Sequence, residues 1–214
     1  MKSPHRPRTS ASLLACFLCA FFLKANAQPI SIQASAGYVY LPLNDWSNFA
    51  SNIANASYSK INPNSYWAFS VYYSIGSNHS IYVGIERIRT SASSTTPVAT
   101  VNWDFQGIPI TFGYEYKLIT FNETFTPVVG AGISYFISKV EGRDNVFNNT
   151  TPRKGSGFGV HLSLGLRWEF VQSLSLVPQA RYRYSDGMAF TDNSNDIKVE
   201  FTGFDISTGL SWAF

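Results

Sequence analysis

Residues 157–170 read GFGVHLSLGLRWEF. Phe158, Val160, Leu162, Leu164, Leu166, Trp168 and Phe170 occupy every second position, and Gly157, Gly159, His161, Ser163, Gly165, Arg167 and Glu169 stand between them. A period of two places the two sets on opposite faces of one β-strand. Alternation alone leaves open whether the apolar face covers a protein core or meets lipid, so the composition of the other face must decide. On the wet outside of a soluble sheet glycine weakens a strand without return, and Lys, Thr or Glu is expected there. Inside a narrow closed barrel small residues are needed, because eight strands leave space only for packed side chains. The glycines favour the barrel.

The same alternation recurs at 30–43, 65–76, 80–90, 98–118, 124–140, 174–185 and 198–214, giving eight strands with the segment above. In the second of them Trp67, Phe69, Val71, Tyr73 and Ile75 oppose Tyr66, Ala68, Ser70, Tyr72, Ser74 and Gly76. The connections alternate in length: 44–64, 91–97, 141–156 and 186–197 are the longer ones, separated by tight or short turns. Short turns at one end and long loops at the other are the pattern of outer-membrane barrels, whose long loops face outward. The predicted fold is all-β, an eight-stranded antiparallel up-and-down transmembrane β-barrel with both termini on the periplasmic side. One helical candidate interrupts this pattern at 44–57, where Asn44 or Asp45 would cap and Trp46, Phe49 and Ile53 share a face.

Residues 1–27 are expected to be a signal peptide. Lys2, Arg6 and Arg8 precede a short apolar run, and Ala25 and Ala27 supply the small residues a signal peptidase reads. The barrel domain then spans 28–214. Cys16 and Cys19 leave with the leader, which suits an oxidising compartment. Four of the 16 Lys and Arg leave too, so the remaining twelve stand against 13 Asp and Glu, a net charge of −1. Nothing in that balance favours nucleic acid. Aromatic residues make up 16% of the chain and charged residues only 14%, well under the roughly one quarter usual in soluble domains.

The aromatic residues sort by depth. Tyr73, Tyr114, Tyr116, Trp168, Phe170, Trp212 and Phe214 fall at the predicted periplasmic ends and form one girdle. Tyr38, Tyr40, Trp67, Phe69, Trp103, Phe105, Tyr135, Phe158, Tyr182, Tyr184 and Phe204 fall toward the outside and form the other. In the fourth strand the apolar parity flips, from Val101, Trp103 and Phe105 to Ile108, Ile110, Phe112, Tyr114 and Tyr116. A β-bulge near Gln106 and Gly107 would absorb the extra residue.

Following the parity inward collects Glu86, Asp104, Glu115, Lys117, His161, Arg167, Glu169, Arg181, Arg183 and Asp205. Lipid-facing Arg or Lys costs about 2–4 kcal/mol at the bilayer midplane, so these residues are expected to face the lumen, where they need partners. A paired ionic network filling the lumen is the expected arrangement, and a gated ion path the alternative. His161 and Ser163 form an H-x-S pair resembling that of outer-membrane phospholipase A and the lipid A deacylases, in which His activates Ser. Here Val160, Leu162 and Leu164 claim the lipid face and send the pair inward, away from any lipid substrate, and the Asn of the deacylase motif is missing. Asp186, Asp192 and Asp196 match no calcium-loop spacing, so no metal or cofactor is expected.

The stretches IPITFGYEYKL (108–118), FTPVVGAGISYF (125–136), LSLVPQARYRY (174–184) and the terminal GLSWAF (209–214) resemble the small eight-stranded outer-membrane barrels, such as the OmpA transmembrane domain and OmpX. That resemblance implies a monomer in the outer membrane of a Gram-negative bacterium. It implies structural, adhesive or protective work through the outward loops, contact with outer-membrane lipid, an extracellular ligand at the loops, and no catalytic site. It also implies that Leu210, Trp212 and Phe214 form a signal for the barrel-assembly machinery.

Overall fold

A computed structural model describes residues 30–42, 57–59, 64–95, 100–119, 121, 124–144, 150–171, 173–186, 188–192 and 195–214. The leader therefore lies outside the described residues, as does the helical candidate apart from Ser57. Eleven strands follow in chain order: β1 Ile30–Tyr40, β2 Ser57–Ser59, β3 Asn64–Ile75, β4 His79–Thr95, β5 Thr100–Lys117, β6 Phe125–Asp144, β7 Thr150–Val171, β8 Leu174–Ser185, β9 Met188–Asp192, β10 Asn195–Val199 and β11 Gly203–Ala213. No helix occurs among the described residues.

Eight of these strands close a barrel in the order β1-β3-β4-β5-β6-β7-β8-β11, every neighbour antiparallel. Closure joins the first strand to the last, from Ser31 opposite Ala213 to Tyr40 opposite Phe204. Phe214 N–H then donates to the Ile30 carbonyl at 2.8 Å. A closed ladder has no edge, which is the condition for strands to cross a bilayer.

The apolar set of each strand lies on the outer wall. Phe69, Val83, Ile85, Ile110, Phe112, Ile133, Leu162, Leu164, Ile206 and Leu210 are all exposed there. Aromatic pairs mark both ends of that band: Tyr135 against Phe158 and Tyr182 against Phe204 on one side, Trp168 against Phe170 and Trp212 against Phe214 on the other. Inward-facing glycines make slots for large neighbours. A Cβ on Gly113 would sit 2.5 Å from the Tyr82 hydroxyl, and one on Gly132 would sit 2.5 Å from the His161 ring.

The wall is uneven. β1, β3, β8 and β11 have 11 or 12 residues, whereas β4 to β7 have 17 to 22. A tilted strand needs about 9–11 residues to cross, so the four long strands stand beyond the membrane on the outward side. Much of 91–97 and 141–156, expected as loop, is therefore strand, and 186–197 contains most of the β9–β10 hairpin, paired from Met188–Val199 to Asp192–Asn195. The described outer residues of 91–95, 141–144 and 152–156 are not apolar because water, not lipid, surrounds them.

The same change of solvent corrects the fourth-strand expectation. β5 keeps one register with β4 from His79–Tyr116 to Thr95–Thr100, and one register with β6 along its whole length. There is no bulge at Gln106 and Gly107. Phe105 points inward and is fully buried, with Trp103 packed beside it, while Asn102 and Ile108 are exposed on the outer wall. Trp103 and Phe105 thus leave the outer girdle and join an apolar cluster made with Val39, Leu41, Ile88, Phe136, Val140, Val199 and Phe201. Parity never flips; polarity does. Phe201 lies over Gly107, whose missing side chain leaves its ring room, and meets Phe136 at 5.9 Å between ring centres.

Phe201→Ala should remove the centre of this plug and destabilise the barrel by about 3–5 kcal/mol, the usual cost of a large aromatic deleted from a packed core. Urea unfolding in detergent micelles, followed by the folded and unfolded bands on a denaturing gel run without boiling, measures it.

Candidate functional site

Beneath the apolar plug the lumen carries a four-membered ionic cluster drawn from three strands. β4 supplies Glu86, β8 supplies Arg181 and Arg183, and β11 supplies Asp205, all buried. Arg183 donates from Nη1 to Glu86 at 3.0 Å, and from Nε and Nη2 to Asp205 Oδ2 at 3.1 and 2.5 Å. Arg181 donates from Nη1 to Glu86, and its Nε faces Asp205 Oδ1 at 3.6 Å. Two acids and two bases cancel, so no net charge is buried. This is the condition under which ions can be held away from water.

Tyr66 of β3 completes the cluster. Its hydroxyl accepts from Arg181 Nη2 at 2.7 Å, and both guanidinium carbons stand about 5.5 Å from its ring centre, within cation–π range. Thr111 of β5 donates to Glu86 at 3.4 Å and shares a hydrogen bond with Ser134 of β6. One network therefore ties together strands on opposite sides of the barrel.

A second, smaller pair lies toward the periplasm. Arg167 donates to Glu115 at 3.2 Å and to the Ser211 hydroxyl at 3.1 Å. Between the two levels Tyr82 and His161 share a 2.5 Å hydrogen bond through His161 Nε2, and Tyr82 stacks on Tyr72. His161 and Ser163 both face the lumen, and the bond His161 makes goes to Tyr82.

One of the ten charged or titratable positions expected in the lumen lies elsewhere. Asp104 points out of the barrel and pairs with Arg89, which donates to it from Nε and Nη2. It was assigned inward on the assumption of a bulge, and the unbroken parity of β5 reverses it. Glu169 keeps the inward parity of β7, opposite the buried Ser175, and is exposed at the periplasmic mouth of the barrel. Lys117, the last residue of β5, keeps the inward parity of Glu115 and is half-buried at the same mouth, outside the pairs above. The periplasmic aromatics expected as a girdle, Tyr73, Tyr114, Trp168, Phe170, Trp212 and Phe214, are exposed on the outer wall, with Tyr116 half-buried among them. Leu210 shares that wall.

Tyr66, Tyr72 and Tyr82 are the lumen residues that charge counting missed. Their even-numbered positions in β3 and β4 place them opposite the lipid face, so parity was the signal. Arg89 was missed because it lies on the outward extension of β4.

Removing one partner from a buried ionic network leaves the others unpaired, at a cost of about 3–5 kcal/mol. Glu86→Ala should therefore lower unfolding stability in micelles by that amount. Asp104→Ala breaks an exposed pair and should cost about 0–1 kcal/mol. Equal effects from the two variants in urea titrations would contradict this ranking.

The outer membrane protein beta-barrel domain family matches residues 13–214. No curated protein matches the chain by sequence. Among solved structures it is similar to the outer membrane protein OprG of Pseudomonas aeruginosa, with 12% identity, 88% of this chain and 96% of that one covered, and a TM-score of 0.60. A major outer membrane protein of Thermus thermophilus is similar at 13% identity over 88% and 100% of the two chains, TM-score 0.59. Neisserial surface protein A follows at 14% over 87% and 97%, TM-score 0.52. Identities this low carry the fold alone. The family match over most of the chain, on a closed barrel with an apolar outer wall, means that this protein belongs to the outer membrane protein beta-barrel domain family and resides in the bacterial outer membrane.

Proposed function

We propose that this chain is a monomeric, non-catalytic outer-membrane barrel that works through its extracellular face, in a structural, adhesive or protective role. The observation that carries the reading is the filled lumen. The neutral cluster of Glu86, Arg181, Arg183 and Asp205 lies under an apolar plug centred on Phe105, Phe136 and Phe201. A solute would have to part ion pairs and then unpack a hydrophobic layer, whereas the outer ends of β4 to β7 stand clear of the membrane. His161 and Ser163 lie on the lumen side of β7, away from the lipid that a hydrolase of this class would cleave.

The protein reconstituted in planar bilayers should be electrically silent. Steady unitary conductance that shifts on Arg181→Gln would replace this reading with that of a narrow channel. Cells carrying a barrel with 141–156 replaced by a short turn should lose binding to host-matrix or envelope components that the intact barrel binds.

The end of the chain has a second proposed role, as the signal read by the barrel-assembly machinery. Leu210, Trp212 and Phe214 are exposed on one face of β11. Deletion of Phe214 removes a single backbone bond to Ile30 and should leave micelle stability nearly unchanged, while the amount of folded protein in the outer membrane falls severalfold. A proportionate loss of both would make the residue structural only.

A further inference from the structure

At the top of the apolar band, β3 and β4 build a small site on the outer wall. Trp67 is the direct cross-strand partner of Arg87, and both side chains are exposed. Arg89 lies two residues farther out on the same face, also exposed. Ser65, Trp67, Arg87 and Arg89 enclose a cavity of about 120 Å³.

The depth of this cavity identifies what can fill it. On β3 the outer wall runs through Ile75, Tyr73, Val71 and Phe69 up to Trp67, and on β4 through Val83 and Ile85 up to Arg87. The cavity therefore sits where acyl chains give way to headgroups, the level at which indole rings settle and outward arginines become tolerable. Arg87, Arg89 and the Asp104 that pairs with Arg89 together carry one net positive charge at this spot, which an anion would meet. Asp104 engages Arg89 through Nε and Nη2, and no carboxylate lines the cavity itself. The cross-strand row from Arg89 passes through Gln106 to Lys139, which pairs with Glu141, and on to Lys154.

The geometry points to a binding site for the phosphate of a lipid headgroup in the outer leaflet, held by Arg87 and Arg89 with the Ser65 hydroxyl, beside the Trp67 indole. Guanidinium forks match phosphate oxygens with paired charge-assisted hydrogen bonds. The cavity opens sideways above the apolar band, so a phosphate borne on a membrane-embedded lipid arrives already positioned, with its acyl chains along Phe69 and Ile85. Lys154, at the end of that row, extends the same attraction to neighbouring headgroups.

The full chain in phosphatidylcholine nanodiscs doped with bisphosphorylated lipid A tests this, with lipid retained on the protein read by native mass spectrometry. Retention should fall about fivefold for each arginine neutralised in Arg87→Gln and Arg89→Gln, the scale of one basic residue at an anionic surface. Arg143→Gln, the same charge change higher on β6, should leave it unchanged. Dephosphorylated lipid A should be retained by the wild-type protein no better than phosphatidylcholine. Equal retention of the dephosphorylated lipid, or an equal loss in Arg143→Gln, would overturn the site. So would inorganic phosphate displacing the lipid at the lipid's own concentration. Mobility before and after boiling shows that each variant is folded, and the dephosphorylated arm needs no variant at all.

Discussion

Within a bilayer no water can satisfy a backbone group, so every N–H and C=O of a spanning strand must find its partner in the protein. The pairing of β1 with β11 meets that demand by closing the sheet, and most other features follow from it. Closure fixes one face outward for the full height of the membrane, which explains the unbroken apolar runs of β3 and β7. It also sends the polar side chains between those apolar ones into a space too narrow for water to fill freely. Charges there must cancel locally, as Glu86, Asp205, Arg181 and Arg183 do.

A second consequence appears where the long strands leave the membrane. The outer face of β4 to β7 now meets headgroups and then water, and carries Arg89, Asp104, Lys139 and Glu141, two of them joined by an ion pair across β4 and β5 and two by one along β6. The inner face at the same height becomes apolar, with Ile88, Phe105, Phe136 and Val140 buried against Val199 and Phe201. The barrel is thus two proteins stacked on shared strands. Below, it is inverted, with an apolar outside and a polar inside; above, it has the ordinary polarity of a soluble core. Hydrophobic burial stabilises the upper part, where water is the solvent, and it cannot act in the same way between side chains and lipid in the lower.

Sequence parity reads the lower part well, because lipid imposes one rule on every strand. It located all eight barrel strands, the lipid face of each, and the lumen positions of Glu86, Glu115, His161, Arg167, Arg181, Arg183 and Asp205. It failed where that rule stops applying. Val101, Trp103 and Phe105 look like lipid-facing residues in the wrong phase, and a bulge is the natural local repair. The correct reading keeps the phase and changes the solvent, which no window confined to β5 can reveal. Strand length carries the missing clue, since the outward segments around 91–95 and 150–156 are too polar to be lipid-facing and read as loop. Tyr66 and Tyr82 illustrate a different limit. Their inward direction was legible, but their bonds to Arg181 and His161 depend on strands that meet only after closure.

The outward extension also needs its own explanation, because strands that rise past their neighbours recreate the open edges that closure had removed. Above Tyr66, β4 has no partner on β3 in the ladder, and above Gly159, β7 has none on β8. Exposed edges of that kind invite pairing with other chains. Both are covered here. β2 pairs with the outer end of β4, Ser57 to Ser59 against Thr95 to Ser93, and β9 of the β9–β10 hairpin lies against β7. The chain entering the barrel again through Val199 and Phe201 seals the plug from the same side. An extension that is edge-capped, cored by aromatics and polar on its outer face is a built platform rather than a set of long loops.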